Sequence, residues 1–308
     1  MYIFVNDDGL VHTNSNIKHV KCFSEYGLKY KNINFKSINN DDIPTDNDIL
    51  YFKDFLLLPM THISNPWHLI HHIYMLYKFK IKNNSSVGDF YYLFINSRMM
   101  KRQKDLLNPH YKDFIFKTMG LNYDNFVKIH HKFNNNLPIK CDNLYIPSEN
   151  INFKNEPLFK DFKIYILNQF GITYTPNKLI TFILRRGTRE ITNIDFVKQQ
   201  LSNYNINYVY LEDISIQEQL SICANSSIII GVHGAGLTWS MFMEDNSKLI
   251  ELYPGKSNTD NYIRFCKLSN VKYKRVSIND NKINKDFRLT TVNINTTQIN
   301  NIINAMNF

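Results

Sequence analysis

The segment Ser227–Val232 reads SIIIGV, and it constrains the fold more than any other stretch. Three consecutive isoleucines leave no polar side for water, so this strand suits the middle of a sheet covered on both faces. Comparable runs recur at Lys178–Arg185 (KLITFILR), Ile206–Leu211 (INYVYL), Lys248–Leu252 (KLIEL) and Val271–Ser277. Segments of helical spacing separate them. Ile194–Tyr204 follows Asn193 as its N-cap, and Ser215-Ile-Gln-Glu218 is a capping box opening a helix to about Asn225. A short helix is expected near Thr238–Met243 and another over Asp260–Leu268. Strands alternating with helices imply parallel pairing, so the C-terminal half is predicted to be an α/β, doubly wound, mainly parallel sheet.

The N-terminal half carries weaker signals. Strands are expected at Tyr2–Val5, Ile49–Phe52 and Phe90–Ile95. A long helix is expected from Pro66, a favourable first-turn proline, to about Lys80. At 308 residues the chain has room for two domains. The polar stretch after Leu144–Pro147 is the best boundary, giving 1–150 and 151–295. The remaining 296–308 places Ile299, Ile302, Ile303 and Met306 on one helical face, able to pack on either half, the first included.

Composition removes several function classes. The hydrophobic share of 44% and charged share of 20% are those of a globular chain. No apolar run reaches the ~18 residues of a membrane span. The start, Met-Tyr-Ile-Phe-Val-Asn-Asp-Asp, lacks the basic region of a signal peptide, so a cytoplasmic location is expected. The net charge of +9 is weaker evidence than it looks. The chain holds 42 Asn against 3 Ala, and 28 of its 36 basic residues are Lys, scattered singly. An A/T-rich genome, such as that of a large DNA virus, produces this mixture without selection for nucleic-acid binding. Cys22, Cys141, Cys223 and Cys266 lack paired spacing, which fits four reduced thiols better than a zinc site or a disulfide framework.

Three features converge on one sheet edge. Gly231, Gly234 and Gly236 follow the central strand, where backbone N–H groups and a helix dipole favour an anion. Arg185 and Arg189 follow another strand, and a guanidinium grips phosphate oxygens with two parallel bonds that the plentiful Lys cannot make. Glu251, ending KLIEL, stands where a carboxylate can accept ribose hydroxyls. Together they describe a nucleoside-diphosphate site. In the first half, His68, His71 and His72 share one helical face. Leu69 stands where a zinc protease would need Glu, so cleft-lining, proton-accepting and core roles all remain open. Asp46-Asn-Asp48 mimics a metal-binding pair of acids but sits in a polar loop.

These residues carry a resemblance. Ile183-Leu-Arg185-Arg-Gly-Thr-Arg189-Glu-Ile-Thr-Asn193 resembles the paired-arginine-then-asparagine motif of glycosyltransferase family 61. Ile230-Gly-Val-His233-Gly-Ala235-Gly-Leu237 and Lys248-Leu-Ile-Glu251-Leu-Tyr-Pro254 resemble its next two motifs, and Leu211–Ser226 its linking helix. Asn65-Pro-Trp-His68-Leu-Ile-His71-His72 resembles its Asn-x-x-His motif, in the form found in the protein O-mannose β1,4-N-acetylglucosaminyltransferase branch. EGF-domain O-GlcNAc transferases and plant β1,2-xylosyltransferases belong to the same group.

The resemblance implies a GT-B architecture, two Rossmann-like halves facing across a cleft. It implies an inverting, metal-independent transfer of N-acetylglucosamine or xylose from a UDP-sugar to a glycan or protein acceptor. Asn65, His68 and His72 are then the catalytic candidates. Arg185, Arg189, Asn193, His233, Gly234, Ala235, Gly236, Leu237 and Glu251 are the donor-binding candidates. No cofactor or metal is expected, because arginines and a helix dipole can neutralise the departing diphosphate. His72 stands where the nearest branch has an acid, which keeps open a catalytically silent sugar-nucleotide- or glycan-binding protein. Net charge alone keeps open a nucleic-acid-binding protein.

Overall fold

In the computed structural model the chain divides into two compact units, Met1–Ile151 and Asn152–Phe308. Described are five short strands between residues 2 and 37, then 50–59, 65–84, 91–95, 109–122, 124, 139–145, 156–175, 179–255, 260–278 and 291–308. Asp46–Asp48 and Asn134–Asn136 lie outside the described residues.

The first unit holds a mixed sheet in the order β5-β2-β1-β8-β6-β7. Its strands are β1 (Tyr2–Val5), β2 (Val11–Thr13), β5 (Phe35–Ser37), β6 (Leu50–Pro59), β7 (Tyr91–Ile95) and β8 (Ile139–Tyr145). A separate antiparallel pair joins β3 (Val20–Cys22) to β4 (Lys31–Ile33). The strands β8-β6-β7 are parallel, while β1 runs antiparallel to both β2 and β8, so this sheet departs from the all-parallel pattern. β6 extends well past the expected Phe52, because Phe55, Leu56 and Leu58 are fully buried between two parallel neighbours.

Helix α1 (Pro66–Asn83) starts at its proline and packs on α2 (Pro109–Met119), which the sequence reading missed. Leu69, Ile70, Ile73 and Tyr74 are its fully buried residues. Among the described residues no helix is long and apolar enough to cross a membrane.

In the second unit β9 (Leu179–Leu184), β10 (Ile206–Tyr210), β11 (Ser226–Val232), β12 (Lys248–Tyr253) and β13 (Lys272–Ser277) form one wholly parallel sheet. Its order is β10-β9-β11-β12-β13. Side chains alternate across it. Phe182, Leu184, Ile230, Val232, Ile250 and Leu252 point to one face, where they meet Val197 of α4 (Ile194–Gln200) and Ile299, Ile302 and Met306 of α7 (Thr296–Met306). Helix α7 packs on β12 and β13 of its own unit, and Lys248 Nζ donates to Met306 O at 2.8 Å.

The opposite face is covered by α5 (Ile216–Ala224), a 3-10 helix over Ala235–Phe242 and α6 (Asn261–Leu268), with α3 (Phe159–Gln169) packed on the 3-10 helix. The expected capping box is present: Ser215 Oγ accepts from Glu218 N, and the Glu218 carboxylate accepts from Ser215 N.

Gly231 lets the 3-10 helix approach the sheet. A Cβ there would lie 2.9 Å from Leu237 Cδ2 and 3.3 Å from both Cβ and O of Ile183. Gly231→Ala must displace the buried Leu237 side chain and crowd Ile183, so it should cost about 1–3 kcal/mol of stability. A urea midpoint left unchanged by the substitution would show that the close approach is not a constraint.

Candidate functional site

In β10-β9-β11-β12-β13 the chain winds one way from β9 to β10 and the other way from β9 to β11. In open parallel sheets a ligand crevice forms beyond the carboxyl ends of the strands where the order reverses. Here that point lies between Leu184 of β9 and Val232 of β11. The segments that follow are Arg185–Arg189 and His233–Gly236.

Two-residue alternation sorts the side chains leaving this edge. Ile183, Gly231, Glu251 and Tyr273 fall on the face opposite the core named above, and Arg185, His233, Tyr253 and Arg275 continue that parity. Arg186 has the other parity. It lies 3.9 Å over the Tyr210 ring and forks onto Asp213, with both N–O distances 2.7 Å. Arg186 is thereby committed to the protein, and Arg185 is left to the site.

The Arg185 guanidinium lies where a Cβ on Gly234 would be, which is why position 234 lacks a side chain. Arg185 Nε donates to Thr188 O at 3.2 Å, and burial lowers its pKa despite the opposing influence of Tyr262 and Glu212. A cation short of solvent gains more from an anion than an exposed one does. Arg189 adopts a left-handed backbone, φ 59°, and its Nη1 donates to His233 O at 2.7 Å. Beyond it the 3-10 helix begins at Ala235, and its first turn presents main-chain N–H groups to the same edge. Leu237 N is spent on Gly234 O at 2.9 Å, and the Leu237 side chain is buried against the sheet, so Leu237 shapes the turn.

His233 Nδ1 is hydrogen-bonded to Glu251 Oε1. Glu251 is fully buried, and its Oε2 accepts from the Tyr273 hydroxyl and, at 3.2 Å, from Arg275 Nε. Both carboxylate oxygens are therefore occupied by protein. The ribose contact expected for Glu251 gives way to a role beneath His233. The rings of Tyr253 and Tyr262 stand edge-on to the imidazole at 5.1 and 5.3 Å, and Tyr262 Oη donates to Gly234 O at 2.5 Å. Burial and then the Glu251 charge raise the pKa values of Tyr262 and Tyr273, so both hydroxyls stay donors.

Sequence reasoning missed Tyr262, Tyr273 and Arg275. The available signal was parity in KYKRVS once Glu251 is registered opposite Arg275.

Asn193 is placed elsewhere. Its side chain makes no helix cap; Nδ2 donates to Ile294 O at 2.8 Å and Oδ1 accepts from Ile294 N at 3.0 Å. It clamps the segment leading into α7. In the first unit Asn65 Oδ1 accepts from Trp67 N at 3.0 Å and so caps α1. His71 and His72 are buried, at 5% and 1% exposure, while His68 keeps part of its surface. Burial, then the neighbouring His72 and His68, push the His71 pKa down to about 3. Cys141, Cys223 and Cys266 are buried and form no disulfide with one another. Among the described residues no three His, Cys, Asp or Glu side chains converge on a point where a metal ion could be held.

The model of the family Glycosyltransferase 61 matches residues 67–250, more than half of the chain. The chain belongs to that family. It is 32% identical over 127 residues to the EGF domain-specific O-linked N-acetylglucosamine transferase of Drosophila melanogaster, covering 39% of this chain and 24% of the relative. Proteins of the same name from Xenopus laevis and Mus musculus are 35% identical over 126 residues and 31% over 131, covering 38% and 39% of this chain and 24% of each relative. The matched region thus spans about a quarter of the length of these relatives.

The buried His71 makes the fold acid-sensitive. Its folded pKa of about 3 lies below the unfolded 6.5, so the neutral ring's stabilisation is complete above pH ~6.5 and is lost as pH falls toward 3. The slope approaches roughly 1.4 kcal/mol per pH unit within that window. His71→Leu should flatten the acid limb of the melting-temperature profile; an unchanged limb would show that other groups set it.

Proposed function

We propose that this chain is a UDP-sugar-dependent, inverting glycosyltransferase of GT-B type that binds its donor at the β9/β11 edge. The observation that carries the reading is the Arg185 guanidinium laid over Gly234, with Arg189 tied to the His233 carbonyl and a helix N-terminus beside both. Two fixed cations and oriented N–H groups match a diphosphate, and they stabilise the charge that develops on it as the glycosidic bond to phosphate breaks. A site so equipped has no need of a divalent ion. Relatives named as O-linked N-acetylglucosamine transferases support N-acetylglucosamine as the donor sugar, with xylose the other candidate, and a glycan or protein as the acceptor. In the first unit we assign His68, the least enclosed of the three histidines, to acceptor positioning.

Thermal shift with a panel of nucleotides tests the donor reading. UDP should raise the melting temperature in the presence of EDTA, and GDP, CMP and ADP should not. Loss of the shift on adding EDTA would end the metal-free claim.

Arg185→Lys keeps the charge and loses the planar fork. It should weaken UDP binding by about 1–3 kcal/mol, while Arg186→Lys, altering a side chain engaged by Asp213, should do less. Calorimetry that ranks them the other way would reverse the assignment.

A further inference from the structure

We propose that His233, braced by Glu251, takes the proton of the acceptor hydroxyl, and that Glu251, Tyr273 and Arg275 are its positioning residues. The inference rests on the UDP-sugar reading above.

A carboxylate that accepts from Arg275 Nε and the Tyr273 hydroxyl through Oε2 accepts through Oε1 as well, so the proton sits on His233 Nδ1. The lone pair then belongs to Nε2. A buried carboxylate on the far nitrogen is the arrangement that orients an imidazole for proton abstraction and stabilises the cation it becomes. Tyr253 from β12 and Tyr262 from α6 fix the ring from its edges, and Arg275 donates to the Tyr273 oxygen at 3.0 Å, keeping that hydroxyl turned to Glu251. His71 is enclosed in the first unit, where burial disfavours its protonated form.

The charged groups around His233 include, among the described residues, Glu251 from β12, Arg275 from β13, and Arg185 and Arg189 from the loop after β9. In the transfer, the acceptor oxygen bonds to the anomeric carbon as Nε2 takes its proton. The bond from that carbon to the β-phosphate oxygen breaks, and its electron pair leaves with UDP. The imidazolium, balanced by Glu251, returns its proton to water.

The 308-residue chain is compared with His233→Gln, Glu251→Gln and Tyr273→Phe, each first shown by its melting curve to be folded. UDP affinity is read by calorimetry, and UDP release is read from UDP-N-acetylglucosamine with water as acceptor. Affinity should stay within about threefold, while release falls roughly 100-fold or more in the first two variants and less in the third, with a flattened pH profile. Nitrogen-15 spectra should show the Nδ1–H tautomer of His233 in the parent and a mixture in Glu251→Gln.

Equal losses of affinity and release would make His233 a donor ligand and overturn the proposal, as would undiminished release by His233→Gln or an Nε2–H tautomer in the parent. A parent protein that binds no UDP removes the donor reading instead; the tautomer, measured without ligand, still decides whether Glu251 sets up His233 as a base.

Discussion

The hydrogen bonds between β9 and β11 join two strands that a third, β10, separates in the chain. Because all five strands run parallel, each connection must cross over the sheet, and most cross by a helix. Placing β10 outside β9 sends the chain away in opposite directions on either side of that one pairing. A crevice is left where the connections diverge, and the segments Arg185–Arg189 and His233–Gly236 follow the two strands that border it. Gly231 sits in the same pairing, directly opposite Ile183. The helix that offers its N–H groups can close over the strand because this residue has no side chain. Position of the site and its depth thus come from one ladder.

Charge at this edge is arranged in two tiers. Arg185 Nε and Arg189 Nη1 donate to carbonyl groups, which orient the two guanidinium groups. The third arginine, Arg275, is paired with a fully buried carboxylate and supplies structure to the imidazole above it. Arg186, one residue from Arg185, is neutralised by Asp213 in solvent. Four arginines therefore do different work, and the difference lies in what each is bonded to.

Much of the second unit was legible in its sequence. The strands could be read because a central parallel strand excludes polar residues from both faces, as Ile228–Ile230 does. The Ser215–Glu218 capping box could be read because both partners lie within one turn. Asn193 looked like a cap for the same local reason, yet its bonds run to Ile294, about a hundred residues away, which no local pattern reveals. Glu251 reads from the sequence as a strand-end carboxylate open to a ligand, while its full burial and its bonds to Tyr273 and Arg275 come from the register of β13, which no local pattern reveals. The first unit was harder to read because β1 pairs with β8 across nearly the whole unit.

Arg189 holds a left-handed backbone that glycine or asparagine adopts at less expense. Under random drift judged by folding alone, position 189 would lose its guanidinium readily, since the replacement relaxes the loop. Screening variants of this protein for heat resistance would thus tend to select against the very side chain that reaches the crevice. Robustness and the proposed function pull in opposite directions at this residue, and a thermostable descendant that had traded Arg189 for glycine would keep the architecture while forfeiting the guanidinium held against the His233 carbonyl.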